Sequence, residues 1–413
     1  MSGLPSKVDV AVIGAGAAGI AATRRLVEGG VSVLALEARD RVGGRAWTVE
    51  RDGLPLDLGG EWLHSADRNP LARIAERLGF SLYRKQPDWT TRLRRSGESP
   101  ESEREWLEAR EAHYWAIHHA AQQAEDRPAA SVLAPGERWN VLLDTVSTWA
   151  NAVELDRLSV KDNDRYEDSG VNWRVCEGYG TLIRTLARQL PIALEAPVLR
   201  LDHRGRDVRI ETARGIVTAA RAIVAVSTSI LAQGLDFDPE LPDKREAAAG
   251  LPLGLADKLF LRFDGALPDT EADTHLIGST RRRETMSYQV RPFGRPLISC
   301  FFGGDFAARL EREGEAAMSA HAADELAHLF GADIRRQLTP IASSAWRADA
   351  YARGSYSYAR PGHADDRAIL AAPVDGRIFF AGEACSPNFF STIHGAWLTG
   401  VAAAEAALAS LGR

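Results

Sequence analysis

VDVAVIGAGAAGIAATRRLVEGGVSVLALE, residues 8–37, reads as a strand, a glycine-rich turn, a helix and a second strand. Its two ends are short, β-branched and apolar, as buried parallel strands are. The segment between them has apolar residues at helical spacing and stops at Gly29 and Gly30. The stretch therefore predicts a βαβ unit at the start of an α/β fold.

The turn GAGAAG places Gly14, Gly16 and Gly19 in a G-x-G-x-x-G pattern. In this pattern the first glycine makes a tight turn, the second lets backbone approach a pyrophosphate, and the third lets helix and strand pack closely. The N–H groups that open the following helix suit phosphate oxygens. Glu37, at the end of the next strand, is placed to accept hydrogen bonds from ribose hydroxyls and disfavours a 2′-phosphate. These features predict a dinucleotide site.

The next stretch, EARDRVGGRAWT at residues 37–48, indicates which dinucleotide binds. It contains a second glycine pair, Gly43 and Gly44, flanked by Arg39 and Arg45. Such a segment can hold an elongated diphosphate with a flavin beyond it. The sequence therefore favours FAD over NAD.

Composition narrows the function classes. The 413 residues carry a formal net charge of −6, with 45% hydrophobic and 26% charged residues, which is typical of a globular protein and disfavours a nucleic-acid partner. The three cysteines, Cys176, Cys300 and Cys385, are far apart and form neither a disulfide framework nor a C-x-x-C metal site. We see no leader and no membrane-length apolar run. The expectation is a soluble cytoplasmic protein without a metal.

Strand–helix regions at both ends bracket a mixed middle, which predicts an interrupted domain with a second domain inserted. We assign residues 1–80, 190–245 and 366–413 to a dinucleotide domain, and residues 81–189 and 246–365 to a substrate-binding domain with a helical subregion. Residues 196–227 have hairpin signals, and residues 81–165 read as helical. His113, His118 and His119 lack the i, i+4 spacing of a helical metal pair, so we predict that they lie at the surface.

These motifs, together with FFAGEACSPNFFSTIHGAWLTG at residues 379–400, resemble the flavin-dependent amine oxidases: monoamine oxidases, polyamine oxidases and histone-lysine demethylases. The matching motifs run in the family's order from residue 9 to residue 409. The resemblance implies a Rossmann-like FAD-binding domain of the GR2 type with an inserted α+β substrate-binding domain. Neither a basic tail nor an added helical module supports a chromatin role.

The resemblance also assigns cofactor contacts. Glu37 and Arg45 match residues that contact ribose and diphosphate, Glu383 matches the ribityl–diphosphate residue, and Val198 meets the adenine through its backbone. Thr392 and Ile393 begin the last helix, whose N-terminus would stabilise negative charge on a reduced flavin. The full predicted cofactor set is Gly14, Gly16, Ala17, Ala18, Gly19, Glu37, Ala38, Arg39, Gly43, Gly44, Arg45, Gly59, Gly60, Glu61, Trp62, Val198, Trp346, Gly382, Glu383, Thr392 and Ile393.

Four residues receive catalytic roles from the resemblance. Lys258 matches the lysine that holds a water against flavin N5, Trp346 packs beside the flavin, and Tyr356 forms one wall of an aromatic cage for the amine. His64 lies in DLGGEWLHSADRNP, residues 57–70, which is similar to the W-I-H-G…N-P segment of spermine and polyamine oxidases. The predicted substrate contacts are Glu61, His64, Tyr356 and Thr392.

Two positions depart from the monoamine-oxidase pattern. Ser355 stands where those enzymes carry a cysteine joined to flavin, and Thr392 stands where they carry a second cage tyrosine. We therefore expect non-covalent FAD and a more open cage, although Cys385 lies in a nearby loop. Glu61 stands where L-amino-acid oxidases have an arginine for the substrate carboxylate. An acid there is expected to attract a second ammonium.

The expected reaction is oxidation of a C–N bond by hydride transfer from a primary amine, secondary amine or polyamine to flavin N5. The imine is hydrolysed to an aldehyde or ketone, and oxygen is reduced to hydrogen peroxide. Three alternatives stay open: an oxidase of amino acids or secondary-amine metabolites, a flavin-dependent C–C desaturase, and a flavoprotein without turnover. The partners are then a small amine and oxygen, without nucleic acid or membrane, and the sequence does not decide between a monomer and a homodimer.

Overall fold

The largest sheet contains the predicted βαβ unit. In a computed structural model, which describes residues 4–89, 92–265, 267 and 270–413, eight strands lie in the order β12-β9-β10-β11-β1-β2-β8, with β18 beside β11. The strands are β1 Lys7–Ile13, β2 Val33–Leu36, β8 Ile192–Ala193, β9 Val198–Asp202, β10 Val208–Thr212, β11 Gly215–Val224, β12 Asp236–Asp238 and β18 Ile378–Phe380. Strand β1 pairs in parallel with β2 and β11, whereas β9, β10 and β11 form an antiparallel meander.

Two helices from opposite ends of the chain cover this sheet. Helix α1 spans Ala17–Glu28 and helix α13 spans Ile393–Ser410. They approach closely because Gly400 has no side chain: a Cβ there would lie 2.1 Å from the carbonyl oxygen of Ala18. The end of the chain is thereby fixed beside the glycine-rich turn that precedes α1.

A second, five-stranded sheet has the order β14-β15-β16-β13-β17 and is antiparallel throughout. Its strands are β13 Ala256–Phe263, β14 Thr274–Ile277, β15 Ser287–Val290, β16 Leu297–Gly303 and β17 Leu338–Ser343. Strand β13 is central and buried along nearly its whole length. A lysine on this strand, Lys258, is therefore inside the protein rather than on a solvated edge.

Two small sheets and the remaining helices complete the described structure. Strands β3 Thr48–Arg51 and β4 Leu54–Asp57 form a hairpin, and β5 Trp62–Leu63, β6 Leu82–Tyr83 and β7 Trp173–Val175 form a three-stranded sheet. The other helices are α2 Pro70–Arg77, α3 Arg92–Arg95, α4 Pro100–Ala121, α5 Asn140–Ala150, α6 Val160–Arg165, α7 Tyr179–Leu186, α8 Thr228–Gln233, α9 Pro242–Gly250, α10 Gly304–Glu313, α11 Glu315–Phe330 and α12 Asp366–Ala371.

The predicted hairpins between residues 196 and 227 are confirmed, since β9, β10 and β11 alternate there with short turns. Residues 81–165 are largely helical as predicted. The predicted surface position of His113 is wrong: it is 8% exposed, because it shares a face of α4 with the buried residues Ile117 and Ala120. No helix in the described parts of the chain is long and apolar enough to span a membrane.

The division into two domains stays a prediction. All strands of the eight-stranded sheet lie in the ranges that we assigned to the dinucleotide domain. Residues 1–3 of those ranges lie outside the described residues. The three-stranded sheet, however, joins β5 to β6 and β7 across the predicted boundary at residues 80 and 81. The region around Trp62 therefore touches both predicted parts.

Candidate active site

The glycine-rich turn has the geometry that a pyrophosphate requires. Gly14 has φ +96°, and a Cβ there would lie 2.8 Å from the carbonyl oxygen of Ala225. At Gly19 a Cβ would lie 1.8 Å from the carbonyl oxygen of Gly14, so only glycine lets the helix pack here. Gly16 differs, because no heavy atom lies within 4 Å of its Cβ position. Bare backbone at Gly16 therefore faces open space in which a ligand fits.

The start of α1 offers hydrogen-bond donors to that space. Gly16 is its N-cap and no side chain caps this end of the helix. The first helical hydrogen bond runs from the N–H of Ile20 to the carbonyl oxygen of Gly16. The N–H groups of Ala17 and Ala18 precede that bond and are available to phosphate oxygens, as at other helix N-termini that bind anions.

Glu37 lies beside the turn, where a ribose is expected. Its carboxylate accepts hydrogen bonds from the N–H groups of Ala15 at 2.7 Å and Arg39 at 3.0 Å. The carbonyl oxygen of Glu37 accepts from the N–H of Ala196, which brings the chain leading to Val198 alongside. The acid is thus fixed by two backbone donors, and the predicted adenine contact follows two residues after Ala196.

The second glycine pair packs directly on the first turn. The N–H of Gly43 donates to the carbonyl oxygen of Ala15 at 2.8 Å. A Cβ at Gly43 would lie 2.6 Å from the carbonyl oxygen of Ala46, and one at Gly44 would lie 3.3 Å from the Cα of Gly16. Both glycines have positive φ. The two glycine segments therefore form one continuous surface of bare backbone.

Arg39 and Ala38 continue this edge of the site. The guanidinium of Arg39 is ion-paired with Asp349 and lies over the ring of Tyr351 at 5.4 Å. Arg39 therefore ties the first part of the chain to the segment that carries Trp346. Its donors are partly occupied by Asp349, so we keep its predicted cofactor contact as a prediction.

Arg45 and Glu383, which lie 338 residues apart in sequence, form a buried ion pair at 2.8 Å. Arg45 also donates to the carbonyl oxygen of Ser355 at 2.7 Å. Burial alone would raise the pKa of Glu383, but Arg45 and the donors from Ser357 outweigh burial and lower it. The carboxylate is thus ionised, and it also accepts from the N–H of Ser391 at 2.9 Å.

The last helix begins where the sequence predicted. Thr392 is the N-cap of α13: its hydroxyl accepts from the N–H of Gly395 at 2.9 Å and donates to the carbonyl oxygen of Phe389 at 2.7 Å. Gly382, with φ +145°, donates its N–H to the hydroxyl of Thr399 at 3.0 Å. The hydroxyl of Thr392 is committed to the cap, so its hydrogen bonds give no support to the predicted substrate contact.

Gly59 and Gly60 lie against three other predicted site residues. A Cβ at Gly59 would lie 1.8 Å from the carbonyl oxygen of Arg45 and 3.2 Å from the ring of Trp346. A Cβ at Gly60 would lie 2.6 Å from Cδ1 of Ile393. The backbone at residues 59–60 therefore runs between the indole and the start of α13, where any side chain would collide.

Trp346 is fixed on both its backbone and its ring. It is 4% exposed, and its Nε1–H donates to the carbonyl oxygen of Leu58 at 3.1 Å. Its N–H donates to Asp257 at 3.2 Å, and its ring meets Trp47 edge to face at 6.1 Å. The indole is therefore held rigidly beside Gly59, as a planar wall.

The ammonium of Lys258 has two protein acceptors. It donates to the carbonyl oxygen of Asp57 at 2.9 Å and to Glu61 Oε2 at 2.8 Å. The other oxygen of Glu61 lies 3.4 Å from Nη1 of Arg174, which is itself ion-paired with Asp273. Burial raises the pKa of Glu61, but the charges of Lys258 and Arg174 outweigh it and lower that pKa. Glu61 is thus ionised and already neutralised, which argues against the expected attraction of a second ammonium.

Trp62 lies in an aromatic cluster with Trp89 and His275. Its ring centroid is 5.2 Å from that of Trp89 and 6.2 Å from that of His275. The guanidinium of Arg174 lies over the ring of Trp62 at 4.8 Å. These contacts place the Trp62 indole near β14, which carries His275. Its predicted cofactor contact stays a prediction.

His64 is held in one orientation and is neutral. Its Nδ1 lies 2.7 Å from the side-chain oxygen of Asn172 and 4.0 Å from Asp168 Oδ2. Burial lowers the pKa of His64, although Asp168 and Asn172 partly oppose that shift. Burial and the neighbouring His64 also lower the pKa of His394 to about 4. Two neutral imidazoles therefore lie beside one carboxylate.

The hydroxyl of Tyr356 is fixed by a hydrogen bond to the backbone, which also fixes the orientation of its ring. The hydroxyl donates to the carbonyl oxygen of Trp149 at 2.6 Å. Burial above all, with smaller contributions from Tyr166 and Asp257, raises the pKa of Tyr356, so the phenol stays neutral. A neutral, fixed aromatic ring can line a cage for an amine but is not a proton donor to solvent.

Local motifs identified the glycines, and the family resemblance pointed to Arg45 and Glu383 separately. Sequence reasoning missed their ion pair, and it also missed Asp57, Asp168, Asn172, Arg174 and Asp273. These five residues carry no motif of their own, and each matters only through a contact with a distant part of the chain. The nearest signal is on β7, where an arginine stands between Trp173 and Val175 in a strand that is otherwise apolar. No cluster of three or more side chains suited to a metal occurs among the described residues.

A sheet with parallel strands around β1, a phosphate turn of bare backbone, an acid beside that turn and an arginine–glutamate pair beside a second glycine pair define an FAD-binding oxidoreductase. The residues fit this cofactor, because the open space at Gly16 faces unpaired helix N–H groups. Residues 17–408 match the family model described as flavin containing amine oxidoreductase. The chain belongs to this family, and it is an FAD-dependent amine oxidoreductase.

Relatives and solved structures agree with that assignment. The chain is 30% identical to polyamine oxidase 2 of Arabidopsis thaliana, over 96% of this chain and 87% of that protein. It is also 30% identical to polyamine oxidase 3 of Oryza sativa subsp. japonica, over 95% of this chain and 88% of that protein. Wild-type putrescine oxidase bound to putrescine superimposes with a TM-score of 0.81 at 20% identity, over 98% of this chain and 99% of that one. The last match shows a common fold.

The surroundings of Ser355 agree with non-covalent FAD and give a first prediction. Its hydroxyl donates to the carbonyl oxygen of Ala256 at 2.7 Å and accepts from the N–H of Ala256 at 2.8 Å, so it supports strand β13. Cys385, the nearby thiol, is buried, and burial raises its pKa to about 12, which leaves it unreactive. After precipitation with trichloroacetic acid, we expect the yellow colour in the supernatant. Colour that stays with the washed pellet would contradict non-covalent binding.

Proposed function

We propose that this oxidoreductase oxidises aliphatic diamines or polyamines, and that it yields an aldehyde, ammonia or a smaller amine, and hydrogen peroxide. FAD, when bound, supplies the acceptor for a hydride and passes its electrons to oxygen. The residues of this chain bind the amine, hold it unprotonated and exclude water. The proposal rests on the family, on the polyamine oxidases among its relatives, and on one carboxylate beside His64.

That carboxylate is Asp168. Its Oδ1 accepts hydrogen bonds from the N–H of Gly170 at 2.9 Å and from the hydroxyl of Ser65 at 3.3 Å. Its Oδ2 faces His64, and the side chain is 29% exposed. Because His64 is neutral, no cation forms an ion pair with Asp168 in the described parts of the chain. A carboxylate in this state suits the second ammonium of a substrate whose first nitrogen is in the cage.

The structure disfavours an amino acid as substrate. Arg174 is one of the two buried cations beside Glu61 in the ion-pair chain, and it is 1% exposed. Its two terminal nitrogens face Glu61 and Asp273. A substrate carboxylate would have to displace one of those acids, at the cost of an unpaired buried charge. Arg174 is therefore not available to bind a substrate carboxylate in the way that the arginine of amino-acid oxidases does.

The direct test of substrate class is the variant Asp168→Asn. Asparagine retains the oxygen for Gly170 and Ser65 but removes the charge. For putrescine and spermidine we expect KM to rise about tenfold, which corresponds to a loss of about 1.4 kcal/mol. For butylamine and hexylamine, which have no second ammonium, KM should change less than about twofold. KM and kcat for all four substrates are measured from steady-state oxygen consumption and peroxide yield.

A matched control is Glu167→Gln, one residue away. Glu167 forms an ion pair with Arg68 at 3.3 Å and accepts a hydrogen bond from the side-chain amide of Asn388 at 2.7 Å. Its negative charge is therefore already balanced by Arg68. We expect this variant to leave the KM of diamines and monoamines unchanged. If Asp168→Asn raised the KM of monoamines and diamines equally, Asp168 would not bind the second ammonium.

The pH profile provides a further prediction. The pKa of His64 is lowered from 6.5 and that of Glu61 from 4.5, while that of Tyr356 is raised above 10. These groups therefore keep one charge state between pH 7 and 10. The neutral fraction of an aliphatic amine grows about tenfold per pH unit below its own pKa of roughly 10. We expect kcat/KM to rise with pH up to about that value, and a flat profile from about pH 6 to 10 would count against binding of the neutral amine.

A further inference from the structure

Glu61 joins two buried cations that come from different sheets. One of its oxygens accepts from Nζ of Lys258 on β13 at 2.8 Å. The other lies 3.4 Å from Nη1 of Arg174 on β7. The side chains of Lys258, Glu61 and Arg174 are 10%, 11% and 1% exposed. At this depth the three charges interact strongly, because little water screens them.

Arg174 is the rigid end of this chain of charges. Its Nη2 is ion-paired with Asp273, which itself accepts from the hydroxyl of Tyr83. Its guanidinium lies over the rings of Phe293 at 4.1 Å and Tyr83 at 5.1 Å, as well as Trp62. A planar cation packed among three rings and paired with an acid has little freedom to move. Arg174 therefore fixes the position of the Glu61 carboxylate.

Lys258 needs such a partner, because a lysine has a flexible four-carbon stem and three donor hydrogens. The carbonyl oxygen of Asp57 and the carboxylate of Glu61 take two of those hydrogens. No third acceptor for Lys258 occurs in the described parts of the chain. With two hydrogens fixed, the direction of the third is also fixed, and it is free for a group outside the protein.

The charges of this cluster balance. Lys258 and Arg174 carry positive charges, and Glu61 and Asp273 carry negative ones. Loss of the Glu61 charge would leave two buried cations with one anion, which is unfavourable. The carboxylate of Asp57 does not replace Glu61, because its oxygens already accept hydrogen bonds from the hydroxyl of Thr48 and the N–H groups of Tyr179 and Gly180.

We propose that Glu61 is the positioning residue of Lys258: it holds the ammonium in place, with Arg174 as its anchor. The inference rests on the proposed role of Lys258 beside the flavin. In this proposal Glu61 orients Lys258. The position of Glu61 in the sequence had suggested a different role, which was contact with a second substrate ammonium.

A double-mutant cycle in the holoenzyme tests the proposal. The variants are Glu61→Gln, Lys258→Met and the two combined, and the measurement is the rate at which oxygen reoxidises the reduced enzyme in stopped flow. Glutamine keeps the size of Glu61 but lacks its charge. We expect Glu61→Gln to slow this step about tenfold when Lys258 is present, and less than twofold when position 258 is methionine. Equal effects in both backgrounds would overturn the proposal.

A second readout does not depend on turnover. The chain has only five lysines, so a sample with carbon-13 at the lysine ε position gives few NMR signals, and Lys258→Met assigns the one of interest. We expect the Lys258 signal to shift in Glu61→Gln, with or without bound FAD. Glu61→Asp keeps the charge but is shorter, and should shift it less. An unchanged Lys258 signal in Glu61→Gln would overturn the pairing, and this test also works in a variant that turns over poorly.

Glu325→Gln is the matched control for removing a buried carboxylate. Glu325 is 1% exposed and pairs with Arg282 and Tyr288 under the five-stranded sheet, away from Lys258. It should lower thermal stability without changing the Lys258 signal or the reoxidation rate. The two failures remain distinct: a shifted Lys258 signal with no kinetic effect of Lys258→Met would overturn the proposed role of Lys258, whereas an unshifted signal would overturn the role of Glu61 alone.

Discussion

Replacement of Gly16 with valine should give a folded protein without FAD. The backbone of Gly16 has φ −75° and ψ −174°, a conformation that valine adopts readily, and no heavy atom lies within 4 Å of its Cβ position. The apoprotein therefore has room for the side chain. A pyrophosphate on the N–H groups of α1 would meet the new methyl groups, so we expect FAD to bind at least about 100-fold more weakly, a loss of roughly 2.7 kcal/mol.

The measurement is the flavin content of the purified variant together with its thermal unfolding. Gly16→Val should be colourless and should unfold at the temperature of the native protein from which FAD has been removed, because bound ligand stabilises only the folded state. Gly19→Ala is the contrasting control: its Cβ would lie 1.8 Å from the carbonyl oxygen of Gly14, so it should destabilise the apoprotein as well. A yellow Gly16→Val protein with full flavin content would place the pyrophosphate elsewhere.

Replacement of Lys258 with methionine should have the second large effect, on turnover rather than on binding. Methionine fills a similar volume without the ammonium that Asp57 and Glu61 hold. We expect the variant to retain FAD and to lose about 100-fold in kcat, as is usual when a positioned proton-carrying group is removed. The measurement is kcat with putrescine, combined with the visible spectrum of the bound flavin.

Stability must be separated from catalysis in this variant, because the loss of Lys258 leaves Glu61 with Arg174 alone. Neutralising both partners, in the Glu61→Gln and Lys258→Met double variant, should recover part of any lost thermal stability while kcat stays low. If Lys258→Met turned over at the native rate, Lys258 would have no part in the chemistry, and its burial would serve only the ion-pair chain.

Local sequence was sufficient to predict the glycine-rich turn and the elements around it. The roles of Gly14, Gly16 and Gly19 follow from spacing and from the flanking strand and helix, and each glycine has the geometry expected of it. The start of α13 was predicted from the residues around Thr392 and is confirmed. These features depend on steric rules that act within a few residues, which is why one sequence reveals them.

The substrate side was harder to predict, because its charges pair across the fold. Glu61 alone suggests an acidic binding residue, and only the structure shows that Lys258 and Arg174 neutralise it from two other strands. Asp168 had no motif, and its importance comes from the neutral state of His64. Pairings over roughly a hundred residues or more leave no periodic signal in a single sequence. The sequence therefore suggested residues for the substrate side, but it did not show which of their charges are paired.

The most direct test of the proposed function is an anaerobic titration of the purified yellow protein with amines. Putrescine, spermidine, spermine, benzylamine and a set of L-amino acids are added in turn while the visible flavin band is followed. We predict that a diamine or polyamine bleaches the band rapidly and that air restores it with release of hydrogen peroxide. Bleaching by an L-amino acid alone, or by none of these compounds, would contradict the proposal.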